Sequence, residues 1–229
     1  MLEYLHIVLQ NKTGTRMLKT DLFEEAMEVD QILPGLIDGN TSIIGMDISD
    51  SVTRKSAQRF QSHFNTTSFM TADTRFLPFK ANSIDTILSP STLDHFDDLQ
   101  SFESSIAESA RVLRNSGTFI LILDNPRYLF RTLLKLKSTL QITPAFIGKT
   151  YPLSELHRIL SKYQLRSLSS AYLMHTPVNT IPRLFRMMNT FFGSRMLTLY
   201  RRIDHFSQRA WWKSFTGSYL ALTAKKEVR

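Results

Sequence analysis

The sequence contains no cysteine. That excludes disulfides, thiolate-ligated zinc and thiol nucleophiles, and it is compatible with a cytoplasmic setting. Glycine and proline number only eight each in 229 residues, so a long flexible linker is not expected. Neither a Gly-Thr-Gly turn nor a Walker-type phosphate loop occurs. Without a Gly-x-Ser-x-Gly element, hydrolase chemistry of that kind has no support. The six histidines are scattered and form no His-x-x-x-His pair, so no metal centre is expected. No apolar run approaches the roughly 18–20 residues of a membrane span. Met1–Lys12 is too short and too mixed for a signal peptide.

Apolar residues make up 42% of the chain and charged residues 21%, the composition of a globule with ample core material. The length suits one domain. Residues 1–125 are expected to form its core, 126–217 a cap with a late strand, and 218–226 a closing strand. The net charge of +8 is unevenly spread. Residues 1–110 carry 8 Lys/Arg against 16 Asp/Glu, and residues 111–229 carry 20 against 4. The second half therefore faces an anionic partner or a membrane surface, or it is a solvated basic face.

Short apolar runs alternate with polar helical stretches in the first half. Arg16–Thr20, Ser42–Ser49, Thr67–Asp73, Ser83–Ser91 and Thr118–Leu123 read as strands. Leu22–Leu33, Ser49–Phe60 and Leu99–Leu113 read as helices, with "PGLIDGN" ending the first and "RNSG" forming a turn after the last. In the second half, Leu165–Thr176 and Ser218–Lys226 read as the last strands among helical insertions. The pattern predicts an α/β fold: a Rossmann-like, doubly wound, mostly parallel sheet with helices on both faces. Ligands in such sheets bind beyond the carboxyl ends of the strands. The residues of interest are therefore Thr20–Asp21, Asp47–Ile48, Asp73–Thr74, Ser89–Ser91 and Asp124–Asn125.

A carboxylate at a strand end can accept hydrogen bonds from both hydroxyls of a ribose, and Asp47 closes "IIGMDIS" in that position. Asp73, one strand further, can receive an adenine amino group, with Phe76-Leu77-Pro78-Phe79 walling a flat base. The plainer alternative is that each acid caps the turn or helix that follows it.

"TADTRFLPFKANSIDTILSPSTLDHF" followed by "SIAESARVLRNSGTFILIL" resembles the middle of a class I S-adenosylmethionine-dependent methyltransferase of the small-molecule type. Asp85 matches the Asp that opens the fourth strand in that family, and Arg111-Val112-Leu113 matches the end of the helix before the fifth. The resemblance spans roughly Arg16–Asn125. It implies S-adenosylmethionine as cofactor, with Thr20, Asp21, Asp47, Ile48, Asp73, Thr74, Ser89 and Pro90 around it, and Ser91 beside them. It also puts His95 near the donor methyl, where His95 could deprotonate a hydroxyl; a histidine bonded to backbone at a helix start is the alternative. Asp94 has the same standing. Tyr128, His175 and Trp211 are candidate substrate-wall residues.

The opening stretch departs from the family. Where the family has a glycine-rich loop, this chain has "KTDLFEEA". Asp21-x-x-Glu24 resembles a capping box, which predicts a helix N-terminus whose free amides hold the methionine carboxylate of the cofactor. Asp21 and Glu24 would attract its sulfonium and ammonium.

In Pro182–Ile203, arginines interleave with an apolar stripe that includes Phe191 and Phe192. This fits an interfacial helix on anionic lipid, giving peripheral membrane association through 182–203, or a lid over the site with Gly193 as a break. No nucleic-acid motif accompanies the charge. The expected function is methyl transfer to a small or lipid-like apolar acceptor, at oxygen or carbon. The rivals are a non-catalytic binding protein of the same fold, and a basic membrane-surface or RNA-binding module.

Overall fold

The structure is a computed structural model that describes residues 1–9, 16–27, 31–36, 41–60, 66–140, 149–175, 190 and 194–228. Seven strands form one sheet: β1 (Arg16–Thr20), β2 (Ser42–Asp47), β3 (Thr67–Thr71), β4 (Ile84–Pro90), β5 (Leu113–Asp124), β6 (Leu165–Leu173) and β7 (Tyr219–Lys226). Their order is β3-β2-β1-β4-β5-β7-β6. The first five strands are mutually parallel, and β7 runs antiparallel to both β5 and β6. Strand order reverses between β1 and β4, which is where a doubly wound sheet opens a crevice at its carboxyl edge.

The helices are α1 (Leu2–Leu9), α2 (Phe23–Met27), α3 (Leu33–Leu36), α4 (Asp50–Phe60), α5 (Leu99–Val112), α6 (Arg131–Thr139), α7 (Leu153–Lys162), α8 (Ser194–Arg209) and α9 (Lys213–Thr216). The two-residue period of β5 divides the core. Phe119, Leu121 and Leu123 pack with Phe102 and Ile106 of α5 and Ile159 of α7. Ile120 and Ile122 join Leu5 of α1 and Leu33 of α3 on the other face. Asp98 starts α5 by accepting the Ser101 N–H at 2.7 Å. The family-like residues Asp85 and Arg111 work at the edge away from the crevice. Asp85 accepts from the Arg16 N–H and the Arg114 guanidinium, while Arg111 donates to the Phe79 and Leu77 carbonyls.

Two sequence expectations change. The stretch Leu22–Leu33 is not one helix. It holds the short α2 and the start of α3, because the Glu25 carboxylate accepts the Ile32 and Leu33 N–H groups and begins a new turn there. "RNSG" belongs to β5, whose ladder slips so that Ile84 faces Leu113 and Thr86 faces Thr118. The helix α7 carried no sequence expectation. Half of the 182–203 stripe, including Arg183, Arg186, Phe191, Phe192 and Gly193, lies outside the described residues; from Ser194 the chain is α8. The strand expectations at Arg16–Thr20, Leu165–Thr176 and Ser218–Lys226 match β1, β6 and β7 to within about three residues.

The slip in β5 depends on Gly117. A Cβ there would lie 2.7 Å from the Arg114 carbonyl oxygen and 3.0 Å from that of Asp85, both backbone atoms. Gly117→Ala should destabilise the fold by about 1–3 kcal/mol, the usual cost of overpacking. A melting temperature equal to that of the unmodified protein would contradict this account of the slip.

Candidate functional site

The crevice is built first by the turn after β1. Asp21 adopts a left-handed conformation, φ 74°, where the sequence supplies no glycine. Aspartate tolerates this region better than most residues because its short side chain bonds locally. Here its Oδ1 accepts the Phe23 N–H at 2.7 Å. The Asp21 N–H donates to the Met46 carbonyl at 2.8 Å, which ties the ends of β1 and β2 together. Asp47 completes the tie: its Oδ2 accepts the Leu22 N–H at 3.0 Å and its Oδ1 the Ser49 N–H at 2.8 Å. Of the amides around the start of α2, the Leu22 and Phe23 N–H groups are therefore satisfied, by Asp47 and Asp21. At these two amides the turn presents carboxylates.

Below the turn lies an ion pair that the sequence did not reveal. Lys19 and Glu25 are both fully buried and meet at 2.9 Å. The Lys19 ammonium also donates to the Asp21 carbonyl. Burial pushes the Asp21 carboxyl up to about 7, with Glu24 and Asp47 adding repulsion and Lys19 opposing it. A cation bound at this edge would favour the ionised form of Asp21.

The β3 side is more committed. Arg75 spans the Asp73 carboxylate, donating through Nε at 3.0 Å and Nη2 at 2.6 Å to Oδ2, and through its backbone N–H at 2.8 Å to Oδ1. These bonds hold the Asp73 carboxyl below the usual range. An adenine amino group at Asp73 would share it with a guanidinium. Thr74 is buried, its hydroxyl bonded to that of Ser105. Of the expected apolar wall, Leu77 is in the core and Phe79 packs against it, whereas Phe76 is exposed. Ile48 is exposed beside Asp47.

At the β4 end the Thr20 and Thr92 hydroxyls meet at 2.9 Å. Thr20, Ser89 and Pro90 are buried, and Ser91 takes a left-handed φ of 44°. A 3₁₀ turn, Leu93–His95, follows. Asp94 and His95, adjacent in sequence, separate here: His95 is exposed and Asp94 is buried. Asp94 Oδ2 accepts the Asp124 N–H at 2.9 Å. Burial raises the Asp94 carboxyl to about 6. Asp124 is pushed up to about 7 by burial and then by Asp94, against the pull of Arg131 and His95. The structure thus gathers Asp94, His95 and Asp124 around the ends of β4 and β5. Asp124 was legible as a strand end and Asp94 as a candidate beside His95, but their meeting across thirty positions was not.

The segments of the three candidate wall residues meet around α9: the Leu129 N–H donates to the Phe215 carbonyl, and His175 reaches Thr216. Tyr128 is buried, and Trp211 is exposed. His175 is a structural tie, buried, with Nδ1 2.8 Å from the Thr216 hydroxyl, Nε2 2.9 Å from the Tyr172 carbonyl and its backbone N–H on Asp204. Among the described residues no cluster of three or more His, Asp or Glu is arranged to hold a metal ion. No helix among them is long and apolar enough to cross a membrane.

Residues 13–121 match the methyltransferase domain family. No curated protein matches the chain by sequence. Solved structures share its fold. The YcgJ protein from Bacillus subtilis has a TM-score of 0.63 at 17% identity, over 100% of this chain and 98% of that one. An S-adenosylmethionine-dependent methyltransferase from Methanosarcina mazei has a TM-score of 0.66 at 14% identity, over 99% and 98%. Phosphoethanolamine N-methyltransferase 2 of Haemonchus contortus, in complex with S-adenosylmethionine, has a TM-score of 0.65 at 15% identity, over 99% of this chain and 52% of that one. The family match thus places a methyltransferase domain at residues 13–121, within a sheet of order β3-β2-β1-β4-β5-β7-β6 whose fold is shared with S-adenosylmethionine-dependent methyltransferases.

Proposed function

We propose that the protein methylates a small or lipid-like apolar acceptor, at oxygen or carbon, with the methyl group of S-adenosylmethionine. The observation that carries this reading is the carboxylate edge of the crevice, Asp21 and Asp47, at the switch point between β1 and β4. When bound, the cofactor supplies an electrophilic methyl group on a sulfonium. Its positive charge suits that edge. Asp47 uses one lone pair of each oxygen on a backbone N–H, which leaves acceptor capacity for ribose hydroxyls. Ile48 offers an apolar face to the base, and Asp73, held by Arg75, borders its amino group. Thr20, Thr74, Ser89 and Pro90 are buried and shape the floor without offering exposed side chains.

His95 is the proposed proton acceptor for a hydroxyl substrate, with Asp124 stabilising the imidazolium that forms. The apolar acceptor is supported by exposed Leu129, Leu133, Leu136 and Leu140, which follow the β5 end at helical spacing. A second reading, peripheral contact with an anionic membrane, rests on the same stripe, on exposed Leu199, Ile203 and Phe206 of α8, and on the excess of 20 Lys/Arg over 4 Asp/Glu after residue 110.

Transfer of radiolabelled methyl from S-adenosylmethionine into apolar extractable acceptors tests the function. Asp47→Ala should weaken cofactor binding by about 1.5–3 kcal/mol, the value of a charge-assisted hydrogen bond. Unchanged calorimetric affinity in a folded variant refutes that role.

The Asp124 carboxyl, raised to about 7, supports His95 only when ionised. Turnover of a hydroxyl acceptor should therefore rise with pH and level off above about 7, and His95→Gln should lower it at least tenfold at unchanged cofactor affinity. A wild-type rate in His95→Gln removes His95 from the chemistry.

For the membrane reading, co-sedimentation should be seen with anionic but not neutral vesicles and should fall as salt rises, since each basic side chain at such a surface contributes on the order of 1 kcal/mol. Equal, negligible binding to both leaves the stripe as part of the acceptor pocket alone.

A further inference from the structure

We infer that Lys19 is a positioning residue for the cofactor, acting through a single peptide plane on Asp47, with Glu25 as its anchor. The inference rests on the methyltransferase reading above.

The Asp21–Leu22 peptide is clamped at both ends. Its carbonyl accepts from the Lys19 ammonium below, and its N–H donates to Asp47 Oδ2 at 3.0 Å above. Rotation of that peptide would break both bonds. It also follows a residue at φ 74°, a conformation that glycine adopts freely and aspartate only when held. Lys19 therefore does by hydrogen bonding what a glycine would do by lacking a side chain, and it aims an N–H at the carboxylate expected to hold the ribose.

The clamp is itself fixed. Glu25 Oε2 pairs with Lys19 at 2.9 Å, and Oε1 accepts the Ile32 and Leu33 N–H groups at 3.1 and 3.0 Å. Arg59 of α4 donates to the Glu25 carbonyl at 3.1 Å. Both charges of the pair are wholly removed from water. Such a pair is a poor way to gain stability, because desolvation offsets most of the attraction and well-packed apolar residues often do as well. β1 could have continued the pattern of Met17 and Leu18. What an apolar side chain at 19 cannot do is donate to the Asp21 carbonyl.

The test is Lys19→Met combined with Glu25→Gln. This variant leaves no lone buried charge and keeps an acceptor for Ile32 and Leu33. S-adenosylhomocysteine is titrated by calorimetry into four proteins: unmodified, the double variant, Asp47→Ala, and all three changes together. The double variant should keep a cooperative melt and bind about tenfold more weakly, and adding Asp47→Ala to it should cost less than about threefold, well below its cost alone, because the two act in series. A purely structural pair predicts unchanged affinity, or losses that multiply; either overturns the inference. If the double variant does not fold, amide exchange of the unmodified protein decides. A Leu22 N–H slowed at least a hundredfold supports the clamp, and one exchanging at the rate of an open chain refutes it. An unmodified protein that binds no S-adenosylhomocysteine contradicts the methyltransferase reading itself, whereas unchanged binding in the folded variant contradicts only the role of Lys19.

Discussion

Two opposite charges lie in the core of this protein, and the turn above the sheet is arranged around them. Lys19 leaves the middle of β1 with no water to solvate it, and Glu25 on α2 is its partner. An ion of this kind carries a desolvation penalty of several kcal/mol unless every donor and acceptor is met. The surrounding backbone meets the demand. The Asp21 carbonyl turns down to the ammonium, and the Ile32 and Leu33 amides turn in to the carboxylate. The left-handed Asp21, the break between α2 and α3, and the line of the Leu22 N–H toward Asp47 all follow from that requirement.

The electrostatics of the crevice are a second consequence. A glycine-rich turn offers backbone amides to a ligand. This turn has spent its Leu22 and Phe23 amides on Asp47 and Asp21 and offers carboxylates there instead. Asp21 near one end of the crevice and Asp124 near the other are both raised to about 7, each by burial and by a neighbouring acid. Protons therefore compete with a cationic ligand at the first position, and an imidazole faces a titrating carboxyl at the second.

Much of the fold could be read from the sequence because its strands are dense apolar runs ending in acids or small polar residues, and those ends announce themselves. Asp47 was legible for the same reason. Other features depended on partners far along the chain. Leu22–Leu33 has the spacing of one helix, and only the Glu25 carboxylate, folding back on Ile32 and Leu33, divides it. "RNSG" has the composition of a turn, yet the ladder with β4 absorbs it as a slip in β5. Lys19 carried no expectation, because nothing local distinguishes an exposed ammonium from one paired six residues on. Asp73 was visible as a strand-end acid. The Arg75 that occupies it stood two positions away, and its grip is a matter of side-chain direction that spacing does not fix.

The most direct measurement is a crystal structure of the protein grown with S-adenosylhomocysteine. The account predicts both ribose hydroxyls on the Asp47 carboxylate, the amino-acid end over the Asp21 turn, and the Asp21–Leu22 peptide still held between Lys19 and Asp47. A ligand bound away from the β1 and β2 ends, or a flipped Asp21–Leu22 peptide, would contradict it.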